Sequence, residues 1–375
     1  AEAIVNGAKD NSHQAVGDIA FVHSFGKVGT LKVMCQGRFL LNKTRYFGSS
    51  SVSDKAQTLR FGPGVNYSYT GEKLHSTLSI GLNWDRSEYG TTVENTTAPW
   101  ADLAVQCSIN KKNSFSVKVG YWKSIPSSGY RSAAVIQSNP LMSYTGNPSL
   151  VPYKSFDADG NYTFIINKAF KMAAYGNVWV VDNRYVYDYQ ANDAGVLRTI
   201  KQPLGGFAQW QYGVQGTGKF FKDNLQVSLS GYMLQGHNGA PYNWNKGRMV
   251  VSASAFYYLK DFYFGATYRS PMVYPDGCMI GMWMDTRSNY TLQVGWSNDR
   301  WNFRFYTRNP FYGNTYATKS TTQSRYYDSI GRIYTGSYIR FFQISATYTF
   351  GYGKKVKAGN EAYKADGASS GILNK

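Results

Sequence analysis

The sequence contains no long hydrophobic run. Nowhere in its 375 residues does an uninterrupted apolar stretch approach the roughly 18 positions of a membrane-spanning helix, so helical spans are excluded. Charge is also sparse, at 17% of residues, and the apolar positions are scattered instead of gathered into the compact runs of an ordinary multidomain protein. Cysteine is nearly absent. Cys35, Cys107 and Cys278 are odd in number and share no spacing pattern, which argues against a disulfide framework or a zinc site, although any two could pair. His13, His23, His75 and His237 are too far apart for metal-ligand spacing and none lies in an HExxH pattern, so neither a metal nor another cofactor is expected. The chain also lacks an initiator Met and a signal peptide. It opens AEAIVNGAKD, from which processing or truncation of an earlier N-terminus is expected.

Acidic residues are outnumbered, 22 against 40 Lys and Arg, for a net charge of +18. Nucleic acid is the first partner such a balance suggests. The basic residues are spread over the whole length, however, and nucleic acid is not expected. Anionic lipopolysaccharide, an anionic solute or an acidic partner inside a lumen are equally good sinks for the charge.

What is abundant is aromatic and small: 32 Tyr, 21 Phe, 9 Trp and 38 Gly. These residues suit many short strands with one apolar and one polar face. Period-two alternation recurs along nearly the whole chain. Leu74, Leu78, Ile80, Leu82 and Trp84 fall on one face of such a segment, and His75, Thr77, Ser79, Gly81 and Asn83 on the other. The pattern predicts about fifteen strands, near 18–25, 30–42, 57–69, 74–89, 99–109, 114–124, 153–166, 170–189, 196–219, 225–237, 245–259, 262–270, 282–297, 301–309 and 337–350. Short polar links such as GKVG at 26, TGEK at 70, NKKN at 110 and FKDN at 221 join them in pairs, and longer irregular segments at 125–152, 188–196, 271–281 and 310–336 separate the pairs.

Short turns at one end and long loops at the other are the asymmetry of a bacterial outer-membrane barrel, whose turns face the periplasm. Many strands reach the nine to eleven or so residues of a tilted crossing. Tyr67, Tyr69, Trp84, Trp122, Trp301, Tyr348 and Tyr352 near strand ends fit interfacial girdles. The fold class expected is therefore all-β, a transmembrane antiparallel up-and-down β-barrel over residues 1–352, with a polar C-terminal tail at 353–375. Fifteen strands that end in the periplasm must begin outside, whereas a complete bacterial barrel has an even number. An odd number of strands is thus expected before residue 1.

Two motifs carry a resemblance. GNPSLVP at 146–152, with Gly146, Asn147, Pro148, Leu150 and Pro152, resembles the GNPxLxPE motif in an external loop of TonB-dependent receptors; Tyr153 stands where that family usually has Glu. The ending ISATYTFGYGKKVKAGNEAYKADGASSGILNK resembles that of Bacteroidetes outer-membrane β-barrel proteins with an N-terminal carboxypeptidase-regulatory-like domain. Its aromatic last strand, with Phe342, Ile344, Tyr348 and Phe350, is similar to the signal read by the barrel assembly machinery. The resemblance implies about fifteen strands of a 22-stranded barrel around a plug. It also implies partners: the protein's own plug and the TonB complex through an upstream region, outer-membrane lipids and lipopolysaccharide, and a solute.

Candidate site residues follow from strand parity. Lys32, Arg38, Arg60, Lys118, Arg304 and Arg308 fall on the polar, lumenal face, where they can attract an anionic solute, pair with acidic plug residues, or simply be solvated by a wet lumen. Loops at 125–145, 188–196, 236–244 and 310–336 are candidate capture surfaces or generic external loops. Cys35 and Cys107 fall on apolar, lipid-facing positions. A barrel lipase needs Ser, His and an orienting Asn or Asp on one outer face; His75 lies on the lumenal side, so no enzyme is expected. The expected function is TonB-dependent uptake of a scarce solute, by gating and not by chemistry. The alternatives are a TonB-independent porin or adhesin-type barrel, and a soluble all-β binding protein. Loop composition fits siderophore, glycan, peptide or cobalamin alike.

Overall fold

Alternating faces and strong β-formers commit most of the chain to extended strands that pair with their sequence neighbours. The computed structural model describes residues 7–48, 53–89, 92–193, 195–202, 205–240, 243–276, 282–313, 315–324, 326–334 and 339–350. Cys278, Tyr352 and the tail at 353–375 lie outside the described residues.

In chain order the strands are β1 (Gly7–Ser24), β2 (Thr30–Phe47), β3 (Ser53–Thr70), β4 (Leu74–Tyr89), β5 (Thr92–Ser108) and β6 (Asn113–Ser124). There follow β7 (Ile136–Asn139), β8 (Met142–Tyr144), β9 (Tyr153–Ile165), β10 (Phe170–Asp182), β11 (Val186–Asn192), β12 (Gly195–Lys201), β13 (Phe207–Phe220) and β14 (Leu225–Asn238). The last are β15 (Trp244–Leu259), β16 (Phe262–Arg269), β17 (Met272–Asp276), β18 (Met282–Thr286), β19 (Asn289–Ser297), β20 (Trp301–Arg308), β21 (Thr318–Thr322), β22 (Ser329–Ile333) and β23 (Phe341–Tyr348). Fifteen of them form one antiparallel sheet in the order β1-β2-β3-β4-β5-β6-β9-β10-β13-β14-β15-β16-β19-β20-β23. All fifteen strands expected from the alternation contribute to it.

Three differences from the sequence reading are informative. First, there are two further four-stranded sheets, β11-β12-β8-β7 and β17-β18-β21-β22, of which β7, β8, β17, β21 and β22 lie in segments expected to be irregular while β12, β18 and part of β11 lie in segments expected to belong to longer strands. The expected strands 170–189, 196–219 and 282–297 therefore each split between the large sheet and one of these. Second, β1 begins at Gly7, and β1 to β5 are 16 to 18 residues long. At about 3.3 Å per residue they outreach the roughly 25 Å apolar band of an outer-membrane barrel. At the loop end β2 pairs with β3, and β4 with β5, as far as Arg45–Ser53 and Tyr89–Thr92, so the strands themselves project beyond such a band. Third, Trp122 was expected in an interfacial girdle; instead it lies directly opposite Trp100 on the inner face, since parity places it with Gly120 and not with Val119 and Tyr121.

The outer face is apolar and exposed: Leu78, Ile80, Leu82, Val214, Leu229, Val251, Phe264, Val294, Phe305 and Ile344 all stand away from the protein. Such a band has no place in water and fits hydrocarbon. Cys35 pairs in register with the exposed Ile19, on this same face. Three of the short turns use one device. Asn110, Asn167 and Asn298 each accept, through Oδ1, the backbone N–H groups two and three residues ahead, at 2.8 to 3.0 Å. An Asx turn of this kind supplies a carboxamide oxygen where the backbone has none to offer.

On the inner face, the Trp100 indole lies over Gly81 and Gly64; a Cβ at Gly81 would fall 2.4 Å from its Cζ2 atom. The absence of a side chain there is what lets the ring lie against the wall.

Candidate functional site

The loop end is a packed body. Leu150, Tyr185, Val186, Tyr187, Tyr189 and Ile200 form its core, with Tyr130, Met142, Tyr153, Val196, Trp244 and Tyr327 packed around it. The segment at 146–152 is its keystone. Gly146 lies where a Cβ would meet the Ser132 and Tyr130 carbonyl oxygens at 2.4 and 2.6 Å. Asn147 donates through Nδ2 to the Ile200 carbonyl at 2.9 Å and accepts through Oδ1 from the Ser149 N–H at 2.9 Å. The Pro148 carbonyl accepts from Arg131 Nε and Nη2 at 3.3 and 3.0 Å. Leu150 is fully enclosed and Pro152 is buried. Gln202 closes the motif, accepting from the Val151 N–H and donating to the Val151 carbonyl.

Three arginines that strand parity did not single out organise this layer. Arg131 reaches Glu94 at 2.7 Å and lies 4.3 Å from the Tyr89 ring centroid. Arg184, with no solvent exposure, donates to the carbonyls of Gly206, Gly239 and Ala240 at 2.6 to 3.2 Å, tying two loops together. Arg198 lies over Tyr187 and Tyr144, 4.4 and 5.2 Å from their centroids. Arg184 and Arg198 are thus held by carbonyls and aromatic faces, and Arg131 by a carbonyl, a ring and the Glu94 carboxylate. Burial pushes the Tyr189 hydroxyl up to about 12, with Arg198 opposing the shift, and raises Tyr185 further for the same reason. Both phenols stay neutral in ordinary buffers. No periodic signal marks loop arginines, because their partners, carbonyls, rings and for Arg131 also Glu94, are brought in from distant segments.

The inner wall carries the six basic residues that parity put there. Lys32 lines a cavity of about 810 Å³ together with Asp18, Arg60, Asp102 and Trp122. Arg38 stands directly opposite Arg60 in register, and Arg60 Nε donates to Asp85 Oδ1 at 2.6 Å, with the Asp85 side chain enclosed. Lys118 is opposite Asp159, beside a point where the Asp102 and Asp157 carboxylates converge over Gly120. Arg304 lies 5.7 Å from the Tyr306 ring centroid, and Arg308 is opposite Thr291. The structure therefore divides the six between two regions of the wall, Lys32, Arg38, Arg60 and Lys118 on β2 to β6 and Arg304 and Arg308 on β20. At the last strand, Tyr348 packs on Trp301 and Phe350 with centroids 4.6 Å apart in each case, and Phe342 and Ile344 face outward.

The sheet is similar to the barrels of several solved receptors. The copper transporter OprC superposes with a TM-score of 0.68 at 10% identity, over 92% of this chain and 57% of that one. The ferric-catecholate import receptor Fiu from E. coli K12 gives 0.57 at 13% identity, over 91% and 55%. The ferripyoverdine receptor of the Pseudomonas aeruginosa outer membrane gives 0.60 at 12%, over 92% and 49%. The chain thus spans roughly half of the length of these proteins, and at such identities the likeness is one of fold. No curated protein sequence matches it. The profile of the outer membrane protein beta-barrel family, however, matches residues 99–348, well over half of the chain. With its apolar outer face, its polar inner wall and this match, the chain belongs to the outer membrane protein beta-barrel family and is an integral β-barrel protein of the outer membrane.

Proposed function

We propose that this chain forms the wall and outer face of a TonB-dependent receptor that imports a scarce solute. The observation that carries the reading is the packed loop layer standing on a fifteen-stranded sheet whose inner face is polar and charged. A diffusion pore needs an open mouth. Here buried tyrosines, three clamped arginines and the 146–152 segment build a structured external body suited to capture. The fold likeness to copper, ferric-catecholate and ferripyoverdine proteins supports the same reading, as does the resemblance of the C-terminus to Bacteroidetes barrels with a carboxypeptidase-regulatory-like domain. In this reading the basic residues Lys32, Arg38, Arg60 and Lys118 face a plug or the passing solute, and Phe342, Ile344, Tyr348 and Phe350 present the assembly signal. The mechanism is gating: loops bind, the plug rearranges on TonB engagement, and the wall conducts.

The test uses the protein purified from outer membranes. It is expected to bind the periplasmic domain of TonB and to leave liposomes impermeable to arabinose in a swelling assay. Rapid swelling without TonB binding identifies a porin and overturns the proposal.

A further inference from the structure

The wall is electrostatically divided. Strands β1 to β10 of the large sheet carry acidic residues, among them the inward Asp18, Asp85, Asp102, Asp157 and Asp159, whereas β13, β14, β15, β16, β19, β20 and β23 contain no acidic residue at all. On the acid-free half a row of hydroxyls crosses the inner face in register: Thr217 is opposite Ser228, Ser228 opposite Ser254, Ser254 opposite Thr267, and Thr267 opposite Thr291. Arg308 ends the row, opposite Thr291. One inward position above, Arg269 stands opposite Ser252 and Asn289. All of these groups except Thr217 line a cavity of about 450 Å³ whose lining includes no carboxylate.

Neither guanidinium is in an ion pair among the described residues. Nε of Arg269 and Nε of Arg308 are shielded from solvent and have no hydrogen-bond partner among the described residues. Both side chains line the cavity with no carboxylate beside them, so their charge is open to an anion there. Beside them, Tyr175 and Tyr232 meet on the inner face with centroids 6.5 Å apart, where Gly213 separates them across the sheet.

We infer that this patch binds a polyhydroxylated anion, a solute bearing carboxylates along a chain of hydroxyls, such as an acidic oligosaccharide. The inference rests on the reading of the inner wall as a solute path. Hydroxyls on adjacent strands repeat at about 4.8 Å, close to the length of one sugar ring in an extended glycan, so a single chain can meet successive strands in step. Each hydroxyl can donate or accept, as sugar hydroxyls do. The guanidiniums supply forked donors for carboxylates, and the tyrosine rings supply apolar faces for sugar C–H groups. An acid-free wall keeps the local potential positive along the path.

The test is calorimetric titration of the purified protein in detergent with tri-galacturonate, neutral maltotriose and inorganic phosphate. Tri-galacturonate is expected to bind, more weakly as salt rises, and maltotriose and phosphate not to compete at equal concentration. Arg269→Gln with Arg308→Gln is expected to weaken binding by about tenfold or more, as loss of charge-assisted hydrogen bonds requires. Ser254→Ala with Thr267→Val, which keeps the charge, is expected to weaken it by about fivefold. Heat-modifiable gel mobility shows that each variant is folded, and the hydroxyl pair serves if the arginine pair is not. Absence of tri-galacturonate binding, equal binding of maltotriose, or displacement by phosphate together with indifference to the hydroxyl variants each overturns the inference. None of these outcomes touches TonB binding, so the two proposals fail separately.

Discussion

Tyr189 and Tyr327 stack with ring centroids 4.8 Å apart and planes inclined by 24°. One ring belongs to β11 and the other to the link between β21 and β22, so the contact joins the two sheets of the loop layer. Tyr327→Ala is expected to cost roughly 2–4 kcal/mol locally, the size of losing a packed aromatic. Limited proteolysis of intact cells should then cut the segment 323–328 faster, with the barrel's heat-modifiable mobility unchanged. Unchanged cleavage would show that the stack contributes nothing to loop order.

Alkaline pH should loosen the same layer. Burial holds the Tyr189 hydroxyl up at about 12, against an ordinary value of 10.0, and Tyr185 is raised as well. A group whose proton is held more tightly in the folded state stabilises it fully below the unfolded pKa, and that stability is lost as pH rises through the folded value. Loop order should therefore be flat up to about pH 10 and decline between there and about 12. Tyrosinate absorbance, followed in wild type and Tyr189→Phe, checks this. Loss of one late-ionising phenol in the variant is the expected result; superimposable titration curves contradict it.

Arg131 is buried against the Pro148 carbonyl, Glu94 and Tyr89. Glu94→Gln leaves its guanidinium without a counter-charge. Because Glu94 retains some exposure, the expected cost is about 1–3 kcal/mol, below the value for a fully enclosed pair. Hydrogen exchange should quicken at 128–152. Exchange as slow as wild type would mean that the carbonyl and ring suffice.

Leu150 is wholly enclosed, whereas its neighbour Val151 is 43% exposed. Leu150→Ala should destabilise the loop layer by roughly 2–5 kcal/mol and Val151→Ala by less than about 1 kcal/mol. Equal loss of protection in the two variants would remove the motif's leucine from the core.

Gly81 gives way to the Trp100 ring, whereas a side chain at Gly17 would meet nothing within 4 Å. Gly81→Ala should lower the yield of heat-modifiable barrel in membranes, and Gly17→Ala should not. The contrast separates a clash from the ordinary effect of removing glycine from a strand.

The strand pattern was legible because membrane strands must show lipid one face and the lumen the other, and a period of two survives in the sequence whatever the neighbours. That rule sufficed for the fifteen strands of the sheet and for the inward side of Lys32, Arg38, Arg60 and Lys118. The sequence by itself did not separate the strands of the two smaller sheets from loops or from barrel strands: β7, β8, β17, β21 and β22 are only three to five residues long, too short to show a period, and β12 and β18 lie just ahead of the barrel strands β13 and β19. Nor did it set the partners of Arg131, Arg184 and Arg198, whose charges rest on carbonyls, rings and, for Arg131, Glu94, all from distant segments. Leu150 shows the division most plainly. Its motif is readable as a local word, but its burial exists only because Tyr185, Val186 and Ile200 are brought over it, and that convergence is decided by tertiary packing.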